Sequence, residues 1–420
     1  MKIAKKQFNS IDLYGLGIIL FFLLVNKFFY IFKLPTAYGA GQQTLSAVFA
    51  IILFSFMVLI QHKLRVDQYS KWILGLFLFI AIEFLYSVFH YENESLMTML
   101  KDNLYFFVLF IYFVVDYWIS SKEKFEIFIT LITWICLITN ILLISNAFIY
   151  NLSGNFILQI GGINYGDTIK ILYRSNGIRI YNVNQGLIFI VAIISAGYVF
   201  GDKGKQRRFI HLLNILTTLF SLYYIEQSRM ALLIISIAIM AVLLLSNNSN
   251  RQKKYILILM VLALGIVFGI DIITGTATSI WDSLTNSSDK TSLYRFQEMT
   301  YYWQCALKQP FFGLGFVSPS GNNASIVSGY AGNWSYTDIG LIGIMGKMGI
   351  TGAIFYLFML FKLMKAALTI KTSTRGARIG ICIALFLGLA TLSYFDSQRI
   401  MGLVIAIIYI HETNIYDRAV

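Results

Sequence analysis

The feature that most constrains this chain is a series of apolar stretches, each long enough or nearly long enough to cross a membrane as a helix. A bilayer core of about 30 Å needs roughly 20 apolar residues per helix. The 420 residues are 58% hydrophobic and 13% charged, whereas about a quarter of a soluble domain is charged. We therefore predict an all-α polytopic membrane protein that forms a single membrane domain over residues 1–420. The twelve predicted spans run approximately over residues 12–33, 43–60, 72–90, 102–119, 125–145, 184–200, 209–226, 229–246, 255–273, 336–361, 379–395 and 399–412.

The distribution of charge and cysteine argues against several classes of protein. The net charge of +13 is spread between the apolar stretches instead of forming a patch, which argues against a nucleic-acid partner. If the amino terminus is cytoplasmic and the spans alternate, most of the 33 basic residues fall in cytoplasmic loops, where lysine and arginine are favoured. The pattern thus predicts that both termini are cytoplasmic. The three cysteines and four histidines show no paired spacing, so we predict no disulfide framework and no common type of metal site.

Two of the predicted external loops are long, residues 146–183 and residues 274–335. Loops longer than about 15 residues are usually functional or disordered. The second loop contains a predicted surface helix, with Thr291 or Ser292 as its N-cap and an end near Pro310. The short Gly313-Leu-Gly315 segment that follows looks like part of a phosphate-binding loop. Because neither a strand nor the lysine of such a loop accompanies it, we predict a turn instead.

Arginines stand at the external ends of several predicted spans and in the two long loops. A guanidinium group can bind two phosphate oxygens at once, so a cluster of arginines could hold a lipid diphosphate. The alternative is that each arginine only anchors a span at the lipid headgroups. The candidates are Arg174, Arg179, Arg229, Arg295 and Arg399.

Three further charged residues have two interpretations each. Asp338 opens the tenth predicted span, where a carboxylate either interacts with the helix dipole or acts as a general base facing the water. Glu83 and Lys347 lie near the middle of their predicted spans, where isolated charges are costly, so an ion pair between them is a candidate. Such a pair is either structural or part of a proton or ion path in a transporter.

Several segments together resemble the bacterial O-antigen and capsular polysaccharide polymerases of the Wzy type and the related O-antigen ligases. The order of the segments and the twelve-span topology carry the resemblance, which covers about residues 170–365. The segments are Arg179 before Asn182-Val-Asn184; Gln227-Ser-Arg229-Met-Ala-Leu-Leu-Ile; Arg295 followed by Trp303 and Gln309-Pro310-Phe-Phe-Gly313-Leu-Gly315; and Tyr336-Thr-Asp338-Ile-Gly340 leading to Gly349-Ile-Thr-Gly352.

The resemblance implies a GT-C-like, membrane-embedded glycosyltransferase of the bacterial cytoplasmic membrane that needs neither a nucleotide-sugar nor a cofactor. The donor would be a glycan on undecaprenyl diphosphate, and the acceptor a single repeat unit on the same carrier. Membrane lipid and candidate flippase and chain-length regulator proteins would be its other partners. The implied catalytic residues are Asp338 as general base and Arg179, Arg229 and Arg295 at the leaving diphosphate, and the implied substrate-binding residues are Arg174, Arg399, Trp303, Trp334 and Tyr336.

One residue departs from the ligase pattern. The ligases usually carry a histidine where Asp338 falls, whereas an acidic residue is frequent among the polymerases, which favours a polymerase. A ligase of the same fold stays open as an alternative. A transporter or lipid-linked oligosaccharide flippase is the alternative from another class, although the sequence shows no internal repeat of the kind common in transporters.

Overall fold

The computed structural model shows a bundle of helices with one small β-hairpin. It describes residues 2–26, 36–61, 65–154, 172–174, 177–179, 184–201, 208–246, 290–319, 321–329, 334–369 and 372–418. The helices are α1 (Lys2–Val25), α2 (Thr36–Gln61), α3 (Gln68–His90), α4 (Leu96–Asn103), α5 (Ile111–Trp118), α6 (Lys122–Ser153), α7 (Gln185–Phe200), α8 (Arg208–Phe220), α9 (Arg229–Leu245), α10 (Lys290–Lys308), α11 (Ala324–Ser328), α12 (Gly340–Thr369), α13 (Arg375–Gly388) and α14 (Ile400–Arg418).

Shorter elements connect some of these helices. A 3₁₀ segment, Leu104–Phe110, joins α4 to α5, and a π-helical segment, Ser221–Ile225, continues α8. A 3₁₀ turn, Tyr336–Asp338, precedes α12. Strands β1 (Leu172–Arg174) and β2 (Gly177–Arg179) pair antiparallel, with Arg174 opposite Gly177.

Six helical segments in the described part of the chain are long and apolar enough to cross a membrane. Large apolar side chains such as Leu59, Leu78 and Phe358 are exposed on them, as expected where helices face lipid. The chain is therefore a multi-pass membrane protein. The predicted span over residues 255–273 lies outside the described residues, so the total of twelve stays a prediction. The six segments are Thr44–Gln61, Gln68–His90, Leu96–Trp118, Lys122–Ser153, Arg208–Ile225 and Gly340–Thr369, and shorter apolar helices are Leu13–Val25, Gln185–Phe200 and Met230–Leu245.

The ends of several helices differ from the sequence prediction. Helix α6 continues to Ser153, beyond the predicted end at residue 145. Gly154 ends it with a φ of 71°, a left-handed conformation that glycine adopts easily. Helix α13 stops at Gly388, and the link of residues 389–399 that leads to α14 is longer than the predicted hairpin.

Helix α12 is broken at Gly349, where φ is 64° and ψ is −171°. In a continuous helix the Ile350 N–H would bond to the Gly346 carbonyl. Here the Ile350 N–H donates to the Pro310 carbonyl (2.7 Å), and the Gly346 carbonyl accepts the Leu314 N–H (2.8 Å). The turn of residues 310–315 therefore satisfies the backbone groups that the break releases. The part after the break, residues 350–369, is alone about 30 Å long, enough for one span.

Small residues let membrane helices approach closely, and α12 contains the glycines Gly340, Gly343, Gly346, Gly349 and Gly352. All five are buried. A Cβ at Gly346 would overlap Tyr302 of α10, and one at Gly349 would overlap the backbone of Phe311. Helix α10 thus packs along the first part of α12. It is present where the sequence predicted a helix, although it begins one residue before the predicted cap.

Candidate functional site

The 3₁₀ turn Tyr336–Asp338 presents Asp338 at the amino-terminal end of α12. The Asp338 side chain is 52% exposed, so it can meet a molecule from solvent. The Ser335 hydroxyl accepts the N–H of Thr337 and caps the turn (3.4 Å). The sequence placed Asp338 in the first turn of a long span, whereas it lies in a separate turn before the helix.

Arg399 connects this turn to the link that precedes α14. Its Nη2 lies 3.8 Å from Asp338 Oδ1, and its Nη1 donates to the Thr337 carbonyl (3.1 Å) and to the Asp396 carboxylate. Both Arg399 and Asp396 are buried. Burial raises the pKa of Asp396, and the Arg399 charge opposes that increase. Arg399 is therefore a counter-ion shared by two carboxylates, and its predicted contact with substrate stays a prediction.

Lys347 holds the same turn from α12. Its ammonium donates to Asn103 Oδ1 (2.8 Å) and to the Tyr336 hydroxyl (3.1 Å), and it lies 4.3 Å from the centre of the Tyr336 ring. Glu83 is buried, and neither of its carboxyl oxygens has a hydrogen-bond partner among the described residues. Glu83 and Lys347 do not form the direct ion pair that the sequence suggested, because the ammonium bonds to neutral oxygens, although the Lys347 charge still acts on the Glu83 carboxyl.

Glu298 of α10 provides a third contact, because its carboxylate accepts the Ser335 N–H. Burial and the charge of Asp338 raise the pKa of Glu298, while the Ser335 N–H and the charge of Arg295 lower it. Arg295 lies one turn earlier on α10 and is exposed. Helix α10 therefore brings Arg295 to the end of the bundle that carries Asp338.

The hairpin that contains Arg229 reaches the same end of the bundle through α7. Gln185 Nε2 donates to the buried carboxylate of Glu226 (2.6 Å), three residues before Arg229. The Gly186 N–H donates to the Gln398 carbonyl in the link before α14 (3.3 Å). The backbone of the Arg229 hairpin is thus joined to the Arg399 link, while the Arg229 side chain lies outside the described residues.

Arg174 and Arg179 stand at the two ends of the β-hairpin. Strand β2, which ends at Arg179, contacts α6 and the π-helical segment Ser221–Ile225. This segment leads directly into the Arg229 hairpin, so the backbones of Arg179 and Arg229 belong to neighbouring elements. The side chains of Arg174 and Arg179 lie outside the described residues.

The three predicted aromatic contacts have different surroundings. Trp303 on α10 is 44% exposed. Trp334 is half-buried against Tyr301, with ring centres 5.1 Å apart. One part of the Tyr336 ring is covered by Lys347. Trp303 is therefore the most accessible of the three for stacking on a sugar.

Sequence reasoning gave Asp396 and Asn103 no role at this site. Asp396 lies three residues before Arg399, a spacing that places two side chains on one side of a helical turn. That signal was available in the sequence. Asn103 is 244 residues from Lys347, and no local pattern in the sequence connects them.

A second polar cluster joins α14 to the beginning of α3 and to α5. His411 Nε2 lies 3.3 Å from Asp67 and 3.5 Å from Asp116. Asp116, His411 and Glu412 offer ligand atoms within 4.8 Å of one another, close enough for a metal ion. Asp67 caps the amino-terminal end of α3. The carboxyl-terminal end of the same helix contacts Gln309 and Phe316, near the turn that packs on α12. This cluster is therefore separate from the Asp338 site.

Residues 213–357 match the family model described as O-antigen ligase. The matched segment contains Arg229, Arg295, Asp338 and Lys347. It confirms the resemblance of the chain to the superfamily of O-antigen ligases and polymerases. Proteins of this family are membrane enzymes that act on lipid-linked glycans. The chain has no match among curated proteins.

Proposed function

We propose that this protein, whose residues 213–357 match the O-antigen ligase family model, is a polysaccharide polymerase of that superfamily. It joins repeat units carried on undecaprenyl diphosphate at the outer face of the bacterial cytoplasmic membrane. The observation that carries the proposal is the solvent-exposed carboxylate of Asp338, 3.8 Å from a buried arginine, in a turn braced by the helix that carries Arg295. A carboxylate at this position favours a polymerase over a ligase, in which a histidine is usual.

The proposed reaction moves the growing glycan from its carrier to a new repeat unit. The acceptor hydroxyl gives its proton to Asp338 and attacks the anomeric carbon of the donor sugar. The bond between that carbon and the diphosphate oxygen breaks, and the electron pair leaves with undecaprenyl diphosphate. The charge of Arg399, 3.8 Å from Asp338 Oδ1, holds one oxygen of the carboxylate at the turn.

The leaving diphosphate needs fixed positive charge. We assign this role to Arg179, Arg229 and Arg295, because preorganised cations stabilise charge that develops in a transition state. The exposure of Arg295 supports this role, because its guanidinium can meet a phosphate from solvent. Arg174 and Arg399 would contribute further positive charge for substrate binding.

Aromatic side chains would orient the sugars. Trp303 is the strongest candidate, because it is exposed on the same helix as Arg295. Trp334 and Tyr336 flank the turn and would contact sugar with their remaining exposed surfaces. In this proposal both termini are cytoplasmic, and flippase and chain-length regulator proteins would act before and together with the polymerase.

The two alternatives have different support. A ligase would share the fold and the arginines, and it would transfer finished polymer to another acceptor. A transporter was suggested by a pair of Glu83 and Lys347 near the middle of the membrane, and the hydrogen bonds of Lys347 to Asn103 and Tyr336 support a structural role for the lysine instead.

Asp338→Asn tests the proposal, with Asp338→Glu as the control that keeps a carboxylate. In a strain that lacks the native copy, we expect Asp338→Asn to leave single repeat units on the carrier at the outer face and Asp338→Glu to restore some polymer. Full-length polymer from Asp338→Asn would reject the role of general base. Finished polymer that stays on its lipid in the deletion strain would indicate a ligase, and single units trapped inside would indicate a flippase.

A further inference from the structure

We propose that Lys347 is a positioning residue, which fixes Asp338 through a hydrogen bond to the Tyr336 hydroxyl. This inference rests on the proposed function of Asp338 as the base. It gives Tyr336 a second role besides contact with sugar, because the hydroxyl group is then the essential part of the side chain.

The first argument is that the buried ammonium of Lys347 makes its hydrogen bonds to neutral oxygens, while the Glu83 carboxyl interacts with its charge only at longer range. Lys347 is buried in α12, and within the described residues no carboxylate lies within 4 Å of its ammonium. Burial of a cation is unfavourable unless its hydrogen bonds are satisfied. Two neutral oxygens, from Asn103 and Tyr336, and the face of the Tyr336 ring provide that satisfaction.

The second argument is that the Tyr336 hydroxyl is bonded on two sides. It lies 3.1 Å from Lys347 Nζ and 3.2 Å from the hydroxyl of Tyr105, which donates to the Phe395 carbonyl (3.1 Å). Phe395 directly precedes Asp396, the partner of Arg399. These bonds connect α12 to the link before α14 through Tyr336, two residues before the proposed base Asp338.

The third argument is that Lys347 itself is held in place. Its carbonyl accepts the Gly315 N–H (2.8 Å), and it lies two residues before the break at Gly349. The backbone of Lys347 is therefore fixed by the turn of residues 310–315, and its ammonium fixes the turn of residues 335–338. A rigid connection of this kind transmits position, which matters because misplacement of a catalytic group by about 1 Å can lower a rate about 100-fold.

Tyr336→Phe and Lys347→Met, with Lys347→Arg as the charge-conserving control, test the inference on full-length protein in detergent with purified lipid-linked repeat units. We expect Tyr336→Phe and Lys347→Met each to lower kcat about 10- to 100-fold, with the KM for the repeat unit nearly unchanged and the protein still folded at the assay temperature. The double variant should be no slower than the slower single variant, because both changes remove the same bond. Lys347→Arg should recover part of kcat.

Other results would overturn the inference. Wild-type kcat from Tyr336→Phe would show that the ring alone is needed, as sugar stacking requires. A higher KM with unchanged kcat from Lys347→Met would make Lys347 a binding group, and multiplying losses in the double variant would make the two residues independent. If Lys347→Met does not fold, Tyr336→Phe alone decides the question. Polymer growth by Asp338→Asn would instead contradict the proposed function, and it would do so independently of the Lys347 variants.

Discussion

The guanidinium of Arg399 lies 3.8 Å from the carboxylate of Asp338 and at the same time bonds to the buried carboxylate of Asp396. Two acidic groups therefore share one cation, and one of the two is removed from water. Asp338 can offer a carboxylate to a substrate. For the buried Asp396, Arg399 is the only cation in contact among the described residues. Arg399 thus stabilises the buried Asp396 and also contacts the proposed catalytic base.

Arg399→Ala is expected to lower the stability of the protein strongly. Removal of one partner from a buried ion pair costs about 3–5 kcal/mol, because the other charge stays buried. A fall in the melting temperature in detergent would show this. The double variant Arg399→Met with Asp396→Asn removes both charges, and we expect it to recover most of the melting temperature without recovering polymer growth. A single variant that melts like the wild type would show that Asp396 does not need the arginine.

Arg295→Ala is expected to reduce polymer synthesis with little change in stability. The side chain is exposed, so solvent screens its charge and its removal costs little stability. Loss of one group that stabilises developing charge lowers a rate about 100- to 1,000-fold. Lys308→Ala is the matched control, because Lys308 is an exposed cation on the same helix. Chain length and single-turnover transfer rates would be compared in both. Equal losses of transfer rate in the two variants would show that Arg295 acts only as one of several surface charges.

Gly349→Ala should be more harmful than Gly154→Ala, although both glycines have a left-handed φ, 64° and 71°. The left-handed helical conformation of Gly154 costs an L-residue about 1–2 kcal/mol, and Gly349, with ψ of −171°, lies in a region that is essentially restricted to glycine. A Cβ at Gly154 would meet nothing within 4 Å, whereas one at Gly349 would overlap the backbone of Phe311. We expect a loss of about 2–5 kcal/mol for Gly349→Ala, since overpacking adds to the conformational cost. Equal melting temperatures of the two variants would contradict the close contact between α12 and the turn of residues 310–315.

Hydropathy predicted where most of the described helices lie, because a continuous apolar stretch forms a helix in lipid whatever its neighbours are. It did not predict the break at Gly349. Glycine is compatible with a membrane helix, and the partners of the broken backbone lie in residues 310–315, which are distant in sequence. The extension of α6 to Ser153 was missed for a related reason. Polar residues such as Asn146 and Tyr150 at the end of an apolar stretch suggest a loop, but in the structure both are buried in the helix.

The candidate site was predicted in part. The sequence indicated Asp338 and Arg399 because charged residues at the ends of apolar stretches are conspicuous, and it indicated Arg295 because this arginine lies in a long predicted loop. It could not indicate that Arg399 binds Thr337 and Asp338, since these contacts span about 60 residues. The partner of Lys347 was predicted as Glu83 from depth alone, and depth does not determine which neighbouring helix presents an oxygen.

Glu298→Gln is expected to change the dependence of stability on pH. Burial and the charge of Asp338 raise the pKa of Glu298 in the folded protein, so the folded state binds this proton more tightly than the unfolded state. The stability associated with the protonated group is present below the ordinary pKa of glutamate and is lost as pH rises through the higher folded pKa. Glutamine keeps an oxygen that can accept the Ser335 N–H and carries no charge at any of these pH values. The melting temperature of Glu298→Gln minus that of the wild type should therefore increase from about pH 4 towards neutral pH. In an Asp338→Asn background this increase with pH should be smaller, because one cause of the raised pKa of Glu298 is then absent. A difference in melting temperature that does not depend on pH would show that neither burial nor Asp338 affects Glu298.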